Sequence, residues 1–309
     1  MRTNLMDAQA AMAFVLSQTT YIERAVNQII YPEIQYPGLI PVDTSAPEWI
    51  KTVTYFSGDK FGKADWINGN ADDIPRAGNE RTMYSTAVHT AGIGYGFGLE
   101  EISQAQMLGI PLEAEDAAAA RRAYEEMVDG VAFRGDAAKG FQGLINNTSV
   151  TVVTAPNGNW SSPTVTAQQM LGDVNAALMP TFAGTQYTSI ADTLLVPFER
   201  LQRMAEVVMP NTTKTALQFI QEANVYTQQT GRPLTIRAVY GLLTAGVGNT
   251  ARLVAYRRAP DVVKMHIPMP HRFLPAYQAG PIRVEVPGIF RLGGVDIRLP
   301  ASFRYLDSV

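Results

Sequence analysis

The segment YPEIQYPGLIPVDTSAPEW, residues 31–49, carries Pro32, Pro37, Pro41 and Pro47. Each proline blocks a helix and pushes its predecessor toward extended geometry. Nineteen extended residues reach about 60 Å at ~3.3 Å each. Yet Ile34, Tyr36, Leu39, Ile40 and Val42 make the segment too apolar for a solvated linker. An arm that is both extended and apolar needs a surface to lie on, either its own body or a neighbouring subunit.

The chain of 309 residues exceeds one core of about 100–200 residues. Two lobes, or one body with long excursions, are expected. Hydrophobic residues make up 46% and charged ones 17%. With so little charge, much of the surface is expected to meet protein. A net charge of −3 gives no basic signature of a nucleic-acid reader. The absence of cysteine excludes a disulfide framework and thiolate metal sites. Near the N-terminus, Met12, Val15, Leu16, Ile22, Val26, Ile29 and Ile30 follow a broken helical spacing. Its apolar run falls short of the about 20 residues a bilayer requires, and no basic flank with a cleavage site follows. An amphipathic helix is expected, with no membrane partner.

From residue 50 to 99 the pattern is that of a hairpin-like excursion. IKTVTYF is β-branched and aromatic, a polar stretch rich in Gly and Asp follows, and MYSTAVHTAGIGYGFGLE returns. Within the return, Gly92, Gly94, Gly96 and Gly98 alternate with Ile93, Tyr95 and Phe97. A dinucleotide fingerprint lacks its third glycine here, and no Lys follows Gly98 to complete a phosphate loop. Strict alternation is the period of a strand. Its bare face lets another backbone approach closely.

Next, residues 113–134 form an Ala-rich helix with acids at its start and Gly135 placed to end it. At ~1.5 Å per residue it is about 33 Å long. A turn through Gly135, Gly140 and Gly143 closes on Leu144 and Ile145. Residues 160–269 then alternate helices and short strands. AQQMLGDVNAALM is helical, SIADTLLVP a buried strand, Pro197 opens FERLQRMAEVV, and NTT offers caps for TKTALQFIQEANVY. LTIRAV, RLVAYRR and VVKMHIPM are strands. Beyond Pro281, IRVEV alternates, and IFRL and VDIRL flank Gly293-Gly294, a two-residue hairpin signal.

This order of parts resembles the major capsid proteins of tailed bacteriophages with the Hong Kong-type fold, in a family formerly filed as a domain of unknown function. The resemblance rests on LMDAQAAMAF, the proline-spaced segment, AAAARRAYEEMVDGVAFRGDAAKGFQGLINN, YRRAPDVVKMHIPMPHRFLPAYQ and RLGGVDIRLPASFRYLD. It covers essentially the whole chain. It implies an α+β capsid fold with an N-terminal arm (1–47), an extended loop (48–99) lying across the adjacent subunit, a peripheral domain (100–159 and 270–309) with a spine helix (113–134), and an axial domain (160–269). It further implies pentamers and hexamers of this chain in an icosahedral shell around a dsDNA genome, assembled in the host cytoplasm. Scaffold, portal and decoration proteins are the expected further partners, with non-specific contact to DNA. Because the chain opens directly with the arm, a separate scaffold or scaffold-free assembly is expected. The residues expected to carry assembly contacts are Ile34, Tyr36, Leu39 and Ile40 of the arm, Trp49, Tyr55, Phe56, Lys60, Lys63 and Trp66 of the excursion, Gly94 and Gly96 of the return, and Arg121 and Arg122 of the helix.

No catalytic, cofactor or metal residue is assigned. His89, His266 and His271 are the only histidines, and H-I-P-M-P-H lacks the helical i, i+4 spacing of a zinc site. No serine sits in G-x-S-x-G. Asp72-Asp73 and Glu100-Glu101 fit a solvated loop and a helix start, and Asp59 with Asp65 lacks the spacing of a calcium loop. Some relatives of the fold form lysine–asparagine crosslinks, for which Lys60 and Lys63 would be the candidates; contacts with acids or water are the simpler reading. Two alternatives stay open: a cellular nanocompartment shell of the encapsulin type, and a soluble α/β enzyme with an unrecognised site.

Overall fold

The computed structural model describes residues 33–66, 76–108 and 112–309. The expected N-terminal helix and Asp72-Asp73 lie outside the described residues. A five-stranded sheet organises the rest, in the order Thr235–Ala238, Thr193–Val196, Arg252–Tyr256, Phe303–Asp307, Val152–Thr154. Its side chains alternate between two cores, as the two-residue period of a strand requires. Leu195, Val254, Tyr256, Phe303 and Tyr305 face one core. Leu194, Val196, Leu253, Ala255 and Leu306 face the other. Burial on both faces explains the unbroken apolar runs LLV and LVAY. Two cores thus share one partition.

The second core packs under the helices Ala167–Gly184 and Ala216–Ala223. Each starts with a capping box, Thr166 with Gln169 and Thr215 with Gln218. The expected cap in NTT is therefore corrected. Asn211 takes a left-handed φ of 60° inside a turn closed by the Val208–Thr215 bridge, which moves the cap position on to Thr215.

The first core holds the long helix Leu112–Arg134 and the arm. The arm is not extended throughout, because Tyr36–Leu39 makes one helical turn with Pro37 in its first turn. The Asp129 carboxylate of the long helix accepts hydrogen bonds from Gln35 N and Tyr36 N, both at 2.9 Å. The Tyr36 hydroxyl donates to Glu125 at 2.9 Å. Burial, reinforced by Glu125, raises that phenol's pKa. Tyr256 donates its hydroxyl to Leu39 O at 2.7 Å. Val42–Asp43 then pairs in parallel with Val263–His266. Tyr36, Leu39 and Ile40 are buried, each a contribution of about 1.5–3 kcal/mol. For these residues the surface under the arm is the chain's own body.

The alternating run is not a single return strand. Gly78–Ala87 returns along Thr52–Phe61, while His89–Gly92 and Tyr95–Gly98 pair with Gly288–Leu292 and Arg283–Val286. The pairing offset is the same on both sides of the interruption, from Val286 opposite Tyr95 to Ile289 opposite Gly92. One long antiparallel ribbon therefore breaks where Pro287, which has no N–H to donate, meets Gly94. Ile93 N still donates to Gly288 O at 3.0 Å. The bare face of Gly94 is filled by the chain's own backbone, since a Cβ there would strike Val286 O and sit 2.8 Å from Pro287 Cα.

The Gly293-Gly294 hairpin is a second correction. Gly288–Leu292 stays in the ribbon, whereas Val295–Ile297 pairs with Val263–His266. Of the two glycines only Gly294 has a left-handed φ, 68°, whereas the two-residue hairpin turns require it at the first position or at both. The pair instead brackets a third strand: His266 N donates to Gly294 O at 3.2 Å and Gly293 N to His266 O at 2.8 Å.

At one end of the ladder between Arg252–Tyr256 and Phe303–Asp307, Arg252 and Asp307 lie directly opposite and form a buried bidentate ion pair at 2.6 and 2.9 Å. Arg252→Met strands the Asp307 charge and is expected to lose roughly 3–5 kcal/mol in denaturant unfolding, most of it recovered by adding Asp307→Leu. In the ribbon, Gly94→Ala is expected to lower stability by about 1–3 kcal/mol. Gly96→Ala should lose less, because its Cβ would meet Val284 O at 3.0 Å and needs only a small shift. Equal losses at the two glycines would contradict the close approach at Pro287.

Candidate assembly interface

The excursion is a two-stranded hairpin of ten unbroken cross-strand pairs, Thr52–Phe61 against Gly78–Ala87. At ~3.4 Å per residue it reaches about 34 Å. Its β-branched and aromatic residues favour strand, and most of them remain in solvent. One face carries Phe56 opposite Met83, 67% and 64% exposed, with Arg81 and Lys60 further out. The other carries Tyr55 stacked on Tyr84 at 5.3 Å, and Phe61, whose ring occupies the space a Cβ on Gly78 would need. Trp66, beyond the ladder, is 100% exposed.

The root of the hairpin is held by three arginines. Arg298 lies 4.6 Å over the Tyr55 ring and pairs with Asp296 at 3.1 Å. Arg291 donates to Glu48 O at 2.8 Å and stands 5.7 Å from the Trp49 ring. Arg272 pairs with Glu48 at 3.0 Å. Burial and the neighbouring Asp296 raise the Tyr55 phenol's pKa. Between the hairpin root and the turn after the long helix lies an open cleft of about 610 Å³, lined by Tyr55, Tyr84, Lys139, Phe141, Asp296 and Arg298. Its acid is already engaged by Arg298. Among the described residues no group of three or more His, Asp or Glu could hold a metal. No helix among them is long and apolar enough to cross a membrane.

The expected contact residues separate into two sets. Trp49, Tyr55, Phe56, Lys60, Lys63 and Trp66 gather on the excursion, all exposed except the half-buried Tyr55. Tyr36, Leu39 and Ile40 are packed in the protein's own core, with Ile34 packed against it. Gly94 and Gly96 are likewise occupied by intrachain pairing. Arg121 is exposed on the long helix, and Arg122 pairs with Glu126 one turn on, at 2.8 Å. Met83, Tyr84 and Phe61 were missed. Phe61 was legible as an aromatic residue within a polar stretch. Met83 and Tyr84 become visible only once the hairpin register places them opposite Phe56 and Tyr55.

Comparison with known proteins places this geometry. The model of a family described as major capsid protein matches residues 62–309. The capsid of Myoviridae phage XM1 superposes with a TM-score of 0.79 at 15% identity, covering 95% of this chain and 98% of that one. A protein of Mycobacterium phage Bobi gives 0.62 at 12% identity over 99% of both chains. The capsid of an empty GTA particle gives 0.63 at 11% identity, again over 99% of both. No curated protein matches the sequence.

Replacing Phe56 and Met83 by serine separates interface from core. Both side chains are solvated in the subunit, so its unfolding free energy should move by less than about 0.5 kcal/mol. Burial of each against another chain is worth about 1.5–3 kcal/mol, so the threshold concentration for association should rise more than tenfold. A large stability loss with unchanged association would reverse the assignment.

Proposed function

The chain belongs to the major capsid protein family, and on that premise we propose that it builds the icosahedral shell of a tailed bacteriophage from pentamers and hexamers of itself. As a family member it is a structural protein of a capsid. The finer reading is carried by one observation: a hairpin of about 34 Å with large apolar side chains exposed on both faces. An isolated two-stranded hairpin is marginal in water, and exposed apolar surface of this kind marks a partner. In a shell every subunit has copies of itself at fixed distance, so a neighbouring subunit is the natural partner.

In this reading residues 1–47 form the arm and 48–99 the extended loop, with the paired hairpin as its projecting part. Residues 100–159 and 270–309 form the peripheral domain, and 160–269 the axial domain around the five-fold and six-fold axes. Trp49, Tyr55, Phe56, Lys60, Lys63 and Trp66 meet the neighbour, and Arg121 serves contacts along the long helix. The shell encloses dsDNA with weak, sequence-independent contact, in keeping with a net charge of −3. Assembly takes place in the host cytoplasm, with scaffold, portal and decoration proteins as further partners. The role is structural, without catalysis.

The test is expression of the chain alone, followed by negative-stain electron microscopy and light scattering. Closed shells tens of nanometres across, or tubes and sheets of hexamers, are expected. A 33.7 kDa monomer that stays monodisperse at high protein concentration and under crowding by polyethylene glycol would overturn self-assembly through these contacts.

A further inference from the structure

His266 is 2% exposed, and neither ring nitrogen has a hydrogen-bond partner. Each faces a carboxylate just beyond bonding distance: Nδ1 is 4.0 Å from Asp43 Oδ2, and Nε2 is 3.7 Å from Asp296 Oδ2. A neutral imidazole has one donor and one lone pair. Between two acceptors, one nitrogen of the neutral ring must always point its lone pair at negative oxygen. Only the doubly protonated ring satisfies both sides. We propose that His266 is a proton-operated clamp that joins the incoming arm to the root of the hairpin.

The elements it would join are fixed by topology. Asp43 lies on the arm strand, which pairs in parallel with the strand of His266. Asp296 lies on the strand paired along the other side, and its Arg298 partner covers Tyr55 of the hairpin. The charged groups around the ring are Asp43 from the arm, Lys264 from its own strand, and Asp296 and Arg298 from the neighbouring strand. Lys264 reaches Asp43 at 3.1 Å, and Arg298 reaches Asp296 at 3.1 Å. With the ring neutral these four charges balance. Proton uptake from solvent adds one positive charge between the two carboxylates and converts both near contacts into charge-assisted hydrogen bonds. Asp43 remains ionised for this role, because hydrogen bonds from Ser45, and then Lys264, hold its carboxyl well below the usual range. The sign follows: the clamped state takes up a proton that the released state lacks, so clamping strengthens as pH falls.

The experiment is hydrogen-exchange mass spectrometry on the full chain at pH 7.5 and 5.5, with rates corrected for intrinsic exchange. It reads protection in peptides covering residues 40–46 and 52–61. Wild type should gain about tenfold protection in both on acidification, the lower end of what a charge-assisted hydrogen bond is worth. His266→Gln, which keeps the size but cannot carry the charge, should show no gain. An unchanged wild type would overturn the clamp by itself, even if the variant failed to fold, and so would an equal gain in His266→Gln. The measurement reads the subunit, so its failure is distinguishable from a failure of shell assembly.

Discussion

The two cores of this protein depend on one buried ion pair. Arg252 and Asp307 lie opposite each other in the ladder between the strands 252–256 and 303–307 that form the middle of the shared sheet. The pair fixes register. A slip of one residue would exchange every side chain of these strands between the two cores, and it would also break a bidentate contact that has no solvent to replace it. The guanidinium's third contact is Ile145 O at 2.7 Å, and its face lies 4.5 Å from the Tyr305 ring. Asp307 also accepts from Val247 N at 2.9 Å. Tyr305 donates its hydroxyl to Leu144 O at 2.6 Å and accepts from Asn147 N at 3.1 Å. The turn that ends the long helix, the sheet and the 247 loop thus meet at one set of polar atoms. A buried arginine is tolerated when its donors are satisfied in this way.

Much of the fold was legible in the sequence because much of it is set locally. The long helix follows from its alanines and the glycine that ends it, and three of the five partition strands, Thr193–Val196, Thr235–Ala238 and Arg252–Tyr256, from short runs rich in apolar residues. The failures share a cause. Gly293-Gly294 has the composition of a hairpin turn, but the strand it serves is Val263–His266, about thirty residues earlier in the chain. The alternation through Gly92 and Gly98 has the period of one strand, but Pro287 on the opposite strand interrupts the pairing. In both cases the deciding group is remote, and local pattern carries no trace of it.

The interface residues show the same limit more sharply. By composition, Tyr36 and Leu39 in the arm are no different from Phe56 and Trp66 in the excursion: apolar side chains among prolines, glycines and polar neighbours. Their fates differ because Asp129 and Tyr256, far along the chain, supply the acceptor and donor that the arm's one helical turn needs. The arm can then bury its side chains without stranding its backbone. The hairpin pairs the inward-facing half of its backbone between its own two strands and leaves the outward-facing half to solvent, so its side chains can stay unburied. Met83 and Tyr84 entered the site only through register, which a polar turn between the two strands conceals.

These two solutions have different consequences for association. A segment whose backbone is satisfied only by a partner must order itself on binding and lose conformational entropy then, of about 1–2 kcal/mol per residue. The hairpin has met part of that requirement within the subunit, through ten cross-strand pairs and a root held by Arg272, Arg291 and Arg298. In the proposed shell contact, Phe56 and Met83 would therefore enter on a segment that is already paired. Arg272 and Arg291 stand on the paired strands Met269–Phe273 and Gly288–Leu292 and both hold Glu48, while Arg298 follows Val295–Ile297 and covers Tyr55. The root is thus tied to the body at two places, Glu48 by two arginines and Tyr55 by a third.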